Sequence, residues 1–192
     1  MADSNKVYFG FSEVHVGTYT VAADGTVTMG SPYHQKGGVG YSPEENTDRS
    51  DFFADNIPYY TSYAGGTYEG DLEVAKFDDA FRTQFLGYVT LDDGGLAQIK
   101  GAPKPNIYMA FEIEGDVQKR RVIFYNGTLG SIKRAYSTKE NTTEPVTETL
   151  AVTFVGDNAT GITKVTYNEG DSGYASLFTS PPAPALPTGS GS

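Results

Sequence analysis

At 192 residues the chain has the length of one ordinary domain, and its 38% hydrophobic and 13% aromatic content excludes a disordered chain. A formal net charge of -10 sets the mean surface field against nucleic acid and anionic lipid. The lack of any cysteine excludes disulfide frameworks, thiol nucleophiles and cysteine-ligated zinc.

The N-terminus has no basic region followed by an apolar one, and no stretch approaches the roughly 18 apolar residues of a membrane span, so the chain reads as soluble and unexported, with no membrane partner. Val7, Phe9 and Phe11 alternate, and Val14–Val21 leads through Ala23-Asp24-Gly25-Thr26 into Val27 and Met29, which predicts a β-hairpin turned at Asp-Gly. From Ser31 to Gly66 the pattern changes to Gly37, Gly38 and Gly40, a polar run from Ser42 to Asp51, and the rings of Phe52, Phe53, Tyr59, Tyr60 and Tyr63. This segment reads as a long loop, yet one too aromatic to stay solvated. Either its rings complete the domain's own core, or they pack on a neighbouring subunit and order there.

Tyr68, Gly70, Leu72 and Val74 alternate with acidic neighbours, a half-exposed strand. The period then changes: Phe77, Phe81 and Phe85 recur every fourth residue between Asp78-Asp79 and Gly87. Acidic residues at the start and glycine after the end predict a helix over residues 77–86. Ile107, Met109, Phe111 and Ile113 then turn at Gly115-Asp116 into a partner strand over Lys119–Tyr125, and further strands follow around Val146–Phe154 and Ile162–Tyr167. The fold class is therefore mainly β, an antiparallel sandwich or barrel with one short flanking helix. A single domain spans residues 1–178. Residues 179–192 form a Pro-rich and then Gly/Ser-rich tail, extended first and flexible at Gly189–Ser192.

No group of residues makes a convincing catalytic or metal site. Gly170-Asp171-Ser172-Gly173 has the form of a serine nucleophile motif, but only His15 and His34 exist as bases, and neither stands in the sequence context such a triad needs. The two histidines form no helical pair, and Asp92-Asp93-Gly94-Gly95 and Asp78-Asp79 read as turn and helix cap instead of calcium ligands. Gly37-Gly38-Val39-Gly40 lacks the ending of a phosphate loop. Asn126, Asn141 and Asn158 open formal glycosylation sequons that carry no weight without export. The expectation is no enzyme activity, no cofactor and no metal. The basic cluster Lys119-Arg120-Arg121 with Lys133 and Arg134 is either a solvated strand face or an ionic contact for an acidic neighbour.

The order of these features resembles major tail proteins, the tail-tube subunits of long-tailed, non-contractile bacteriophages. One matching block carries YSPEE at Tyr41–Glu45, FFADNIPYY at Phe52–Tyr60, YEGDLEVA at Tyr68–Ala75 and FDDAFRTQFLG at Phe77–Gly87. The other carries APKPNIYMAFEIEGD at Ala102–Asp116, RRVIFYNGTLG at Arg120–Gly130 and STKENTTEPVTETLAVTF at Ser137–Phe154. The resemblance implies a β-sandwich with a flanking helix, assembled as hexameric rings stacked into a tube that conducts the genome into the host. The long loop at 31–66 and the terminal arms would then bridge subunits, with Phe52, Phe53, Tyr59, Tyr60 and Tyr63 as assembly contacts. Implied partners are further copies of the chain, the tape-measure, tail-terminator and distal-tail proteins, and phage DNA passing the lumen without specific binding. The implied location is the virion tail, after synthesis in the bacterial cytoplasm. Two rivals remain, a carbohydrate-binding β-sandwich module stacking sugars on tyrosine and a hydrolase built on Ser172. Against the first, tryptophan, the more usual stacking platform, is absent.

Overall fold

A computed structural model describes residues 5–54, 57–115, 117–136 and 146–187, with side chains described outside residues 48–64. In chain order the elements are β1 (Tyr8–Val21), β2 (Val27–Met29), β3 (Tyr33–Gln35), β4 (Gly38–Ala54), β5 (Ile57–Val74), α1 (Asp79–Leu86), β6 (Tyr88–Thr90), β7 (Leu96–Gln98), β8 (Ile107–Gly115), β9 (Arg120–Arg134), β10 (Glu148–Phe154), β11 (Lys164–Asn168) and α2 (Ser172–Ser176). Each of these strand pairs is antiparallel. The main sheet runs β2-β1-β8-β9-β10-β5-β4, with β3 also on β1 and β11 also on β9, while β6 and β7 pair separately. This is the mainly β, antiparallel architecture that the alternating runs predict.

Strand β9 joins the two halves of the sheet. Arg120–Phe124 lies between β8 and β11, whereas Gly127–Arg134 pairs with β10. The change of partner falls at Asn126, whose φ of 53° is unusual for a side chain bearing a Cβ. Its amide donates to the Gly156 carbonyl at 2.7 Å and accepts from Asn106 at 3.0 Å, so the bend is held by hydrogen bonds on both sides. At Gly127 a Cβ would stand 2.4 Å from the Phe154 ring, so this close strand approach requires glycine. Asn-Gly, ordinarily a turn signal, here bends one strand.

The core fills the curl of this sheet. Val14 and Val16 of β1, Leu72 and Val74 of β5, Ile107, Met109 and Phe111 of β8, and Leu150, Val152 and Phe154 of β10 are all buried together with α1. Gly38 of β4 closes the curl against Val14 and Phe11 of β1. Helix α1 begins two residues inside the predicted span. Asp78 is its N-cap and accepts the Phe81 N–H at 2.8 Å, and Gly87 ends it at φ 71°, as glycine at that position allows. Phe77, Phe81 and Phe85 are fully buried, with successive ring centroids 4.8 and 5.0 Å apart.

Both faces of β8 are covered. Tyr108 and Ala110 point away from the main core and pack with Tyr19, Ile123, Tyr125 and Leu177 in a second apolar layer. The chain after β11 provides the cover: α2, a short helix absent from the sequence prediction, carries Leu177 and Phe178 onto this face. The first part of the tail continues along it, with Pro181 and Pro184 buried and the Tyr125 hydroxyl donating to the Pro182 carbonyl at 3.0 Å.

The predicted long loop at 31–66 is a correction. Most of it is strand: β3, all of β4, and β5 up to Gly66. The polar run has no visible period of two because Ser42–Thr47 is exposed on both faces of its strand, and alternation marks only a strand with one buried face.

Candidate functional site

The outer β4–β5 ribbon is the part of the main sheet that extends past β10, and among the described residues it pairs with no third strand. β10 covers β5 only from Tyr68 to Val74. Among the described residues, Ile57–Thr67 pairs with β4 alone, and at about 3.3 Å per residue that stretch reaches roughly 36 Å. The base of the ribbon is fixed to the domain: Thr163 donates to the Gly66 carbonyl at 2.6 Å, and Tyr68 donates to Glu45 at 3.1 Å. Phe52, Phe53, Tyr59, Tyr60 and Tyr63 all fall on the outer ribbon, with Phe52 paired to Tyr60 and Tyr63 to Arg49. The side chains of all five lie outside the described residues.

Much of the basic cluster is committed inside the domain. The buried Glu112 carboxylate accepts from Lys119 at 2.9 Å, Arg121 at 3.0 Å and the Tyr174 hydroxyl at 3.1 Å. Burial alone would raise the Glu112 pKa, but these hydrogen bonds outweigh it and hold the carboxyl below its usual range. Arg121 also stacks between the Tyr174 and Phe178 rings, 4.1 Å from each centroid, so Glu112 pins the chain after β11 to the sheet. Arg134 lies 3.3 Å from the buried carboxylate of Glu148, which Arg82 also engages.

Asp157 plays the same part at the turn before β11. It accepts from the buried Tyr19 hydroxyl at 2.6 Å and from the Thr160 N–H and hydroxyl, each at 2.7 Å. Its pKa too is lowered, these bonds outweighing desolvation. For both carboxylates the folded-state pKa lies below the unfolded one, so their stabilisation is complete above the unfolded pKa of about 4 and is lost as pH falls through the lower folded value. Urea midpoints should therefore drop from about pH 5 to pH 3, and Asp157→Asn should start lower at neutral pH and show a flatter decline. An equally steep decline in the variant would remove Asp157 from this account.

The structure brings together the two histidines that the sequence leaves unrelated. β1 and β3 pair His15 directly with His34, and their rings stack with centroids 4.6 Å apart and planes 10° from parallel. The Phe178 ring stacks on the other face of His15 at 4.3 Å. His15 Nδ1 lies 2.9 Å from the Glu13 carbonyl, which can only accept, so Nδ1 carries the proton. Burial first, and then the facing His34, lower the His15 pKa. Glu13 Oε2 stands 3.6 Å from His34 Nε2, and Glu13 itself has a φ of 55° at an irregularity in the β1–β8 ladder.

Among solved structures, the chain is similar to a cryo-EM structure of the anti-feeding prophage cap, a tube-terminating cap. The TM-score is 0.48 at 10% identity, over 87% of this chain and 97% of that one. It is also similar to a chain of the PVC sheath–tube complex of an extracellular contractile injection system in its extended state. There the TM-score is 0.47 at 7% identity, over 81% of this chain and 88% of that one. No protein-family model and no curated protein matches the sequence.

The remaining sequence candidates have local roles. Ser172 is the exposed first residue of α2, while His15 is held between His34 and Phe178. Asp93 accepts the Gly95 N–H at 3.0 Å in the β6–β7 turn, and Asn126 is buried at the β9 bend. An open cleft of about 410 Å³ between β4, β5 and β10 presents Glu44, Glu69 and Asp71 beside Ser42 and Thr153 with no histidine.

Proposed function

We propose that this protein is a structural subunit of a phage-type tail tube that polymerises through its β4–β5 ribbon. The observation that carries this reading is the ribbon itself. An isolated two-stranded hairpin is marginal in water; among the described residues no third strand pairs with the outer part of this one, and its sequence carries five large rings at Phe52, Phe53, Tyr59, Tyr60 and Tyr63. Burial of the ribbon against another copy answers both needs, and a heterologous contact of this kind propagates into rings or filaments. The resemblance of the YSPEE, FFADNIPYY and YEGDLEVA blocks to major tail proteins gives the assembly its form, hexameric rings stacked around a lumen. In that tube the acidic surplus repels phosphate and lets DNA slide without adhering. The tape-measure, tail-terminator and distal-tail proteins are the partners this role requires.

Charge supplies the test. Subunits of net charge -10 repel one another, and Lys119, Arg121 and Arg134 already face carboxylates of their own chain. Screening over a Debye length of about 8 Å at physiological ionic strength should thus promote polymerisation. Light scattering of concentrated protein is expected to rise between about 20 and 200 mM salt, a range that shortens the Debye length severalfold. A steady fall with salt would instead assign assembly to ion pairs between subunits, and no scattering at any salt would contradict polymerisation.

A further inference from the structure

We propose that Glu13, His15 and His34 form a binding site for one divalent first-row transition cation, zinc in the first place. One donor atom from each residue lies within 4.8 Å of the other two. Two imidazoles and one carboxylate suit zinc, copper and nickel better than magnesium or calcium. Glu13 and His15 are two apart on β1, and His34 is opposite His15 on β3, so two neighbouring strands present three ligands to one point and leave further coordination positions open.

The local geometry prepares these groups for such a role. The Glu13 carbonyl fixes the proton of His15 on Nδ1 and leaves the Nε2 lone pair for a ligand, the arrangement by which a backbone carbonyl orients a metal-binding imidazole. His15 is only 7% exposed and stacked on Phe178, so its orientation is set before any ion arrives. The positive φ of Glu13 is a strained conformation for a residue with a Cβ, and such strain marks functional positions more often than ordinary ones.

Binding asks for a small rearrangement. Donors on a tetrahedral zinc ion stand about 3.4 Å apart, given metal–ligand distances of about 2.1 Å, so the three groups, within 4.8 Å of one another, must close by at most about 1.4 Å. A bound metal also lies near the plane of each imidazole, so His34 must leave its parallel stack on His15. The side chains of His34 and Glu13 are 39% and 47% exposed, and both have room to turn while His15 stays in place.

The chain contains only two histidines and no cysteine, which makes the test direct. Zinc chloride is titrated into untagged protein and followed by long-range proton–nitrogen NMR of the imidazoles and by calorimetry. One ion per chain is expected, with both sets of ring nitrogen signals shifting together. His34→Ala should weaken binding at least about tenfold, and Glu13→Gln by a smaller factor, since each removes a direct ligand. Far-UV circular dichroism checks that both variants stay folded, and should His34→Ala unfold, Glu13→Gln decides. Unmoved signals at millimolar zinc, a shift of one ring only, or full affinity in the folded variants would overturn the site. None of these outcomes bears on assembly.

Discussion

Glu148→Ala is expected to lower the unfolding free energy by about 3–5 kcal/mol, the range for removing one partner of a buried ion pair, seen as a reduced urea midpoint at unchanged slope. The side chain of Glu148 is 1% exposed. Its two oxygens accept from one Arg82 guanidinium nitrogen at 2.8 and 2.7 Å and from the Phe77 N–H at 2.8 Å, with Arg134 3.3 Å away. Alanine removes every one of these acceptors. It leaves the backbone N–H that leads into α1 buried without a partner, and a guanidinium that is 15% exposed without its counter-charge. Glu148→Gln keeps a carbonyl acceptor and should fall at the lower end of the range. A loss under about 1 kcal/mol, the value of an exposed surface pair, would show that the cluster does not join helix to sheet.

The hairpin at Asp24-Gly25, the half-exposed strand Tyr68–Val74 and the phenylalanine helix were legible because each has a period that one neighbouring surface imposes. Phe77, Phe81 and Phe85 face one core, and their spacing says so. β8 was harder: Ile107, Met109 and Phe111 predict a strand with one buried face, yet Tyr108 and Ala110 are buried as well. The cover over them comes from Leu177 and Phe178, far along the chain, and no local pattern announces it. The Ser42–Thr47 stretch of β4 was hidden for the opposite reason, since a stretch exposed on both faces has no alternation to read.

The same logic separates the legible from the illegible in the candidate sites. The aromatic surplus between Phe52 and Tyr63 is a local signal, and it pointed to the segment that forms the outer ribbon. Glu112 and Glu148 sit in strands as ordinary charged residues. Only the pairing of β8 with β9 and the approach of α1 to β10 reveal what they bind. His15 and His34 meet because β3 folds back on β1, and nothing near either residue in the sequence foretells this.

Trimming the ribbon should abolish polymerisation and leave the domain folded. Asn46 and Thr67 face each other across the two strands, so replacing residues 47–66 with Asn-Gly closes a tight hairpin whose twist suits the strands. The pairing of β5 with β10 from Tyr68 to Val74 and the buried core remain. The Thr163 bond to Gly66 is lost, a change of about 1 kcal/mol for one neutral hydrogen bond. Negative-stain electron microscopy of the full-length and trimmed proteins at the same high concentration compares the two directly. The full-length chain is expected to form rings or tubes and the trimmed chain only folded monomers, whereas tubes formed equally by the trimmed protein, or none by the full-length chain, would contradict assembly through the β4–β5 ribbon.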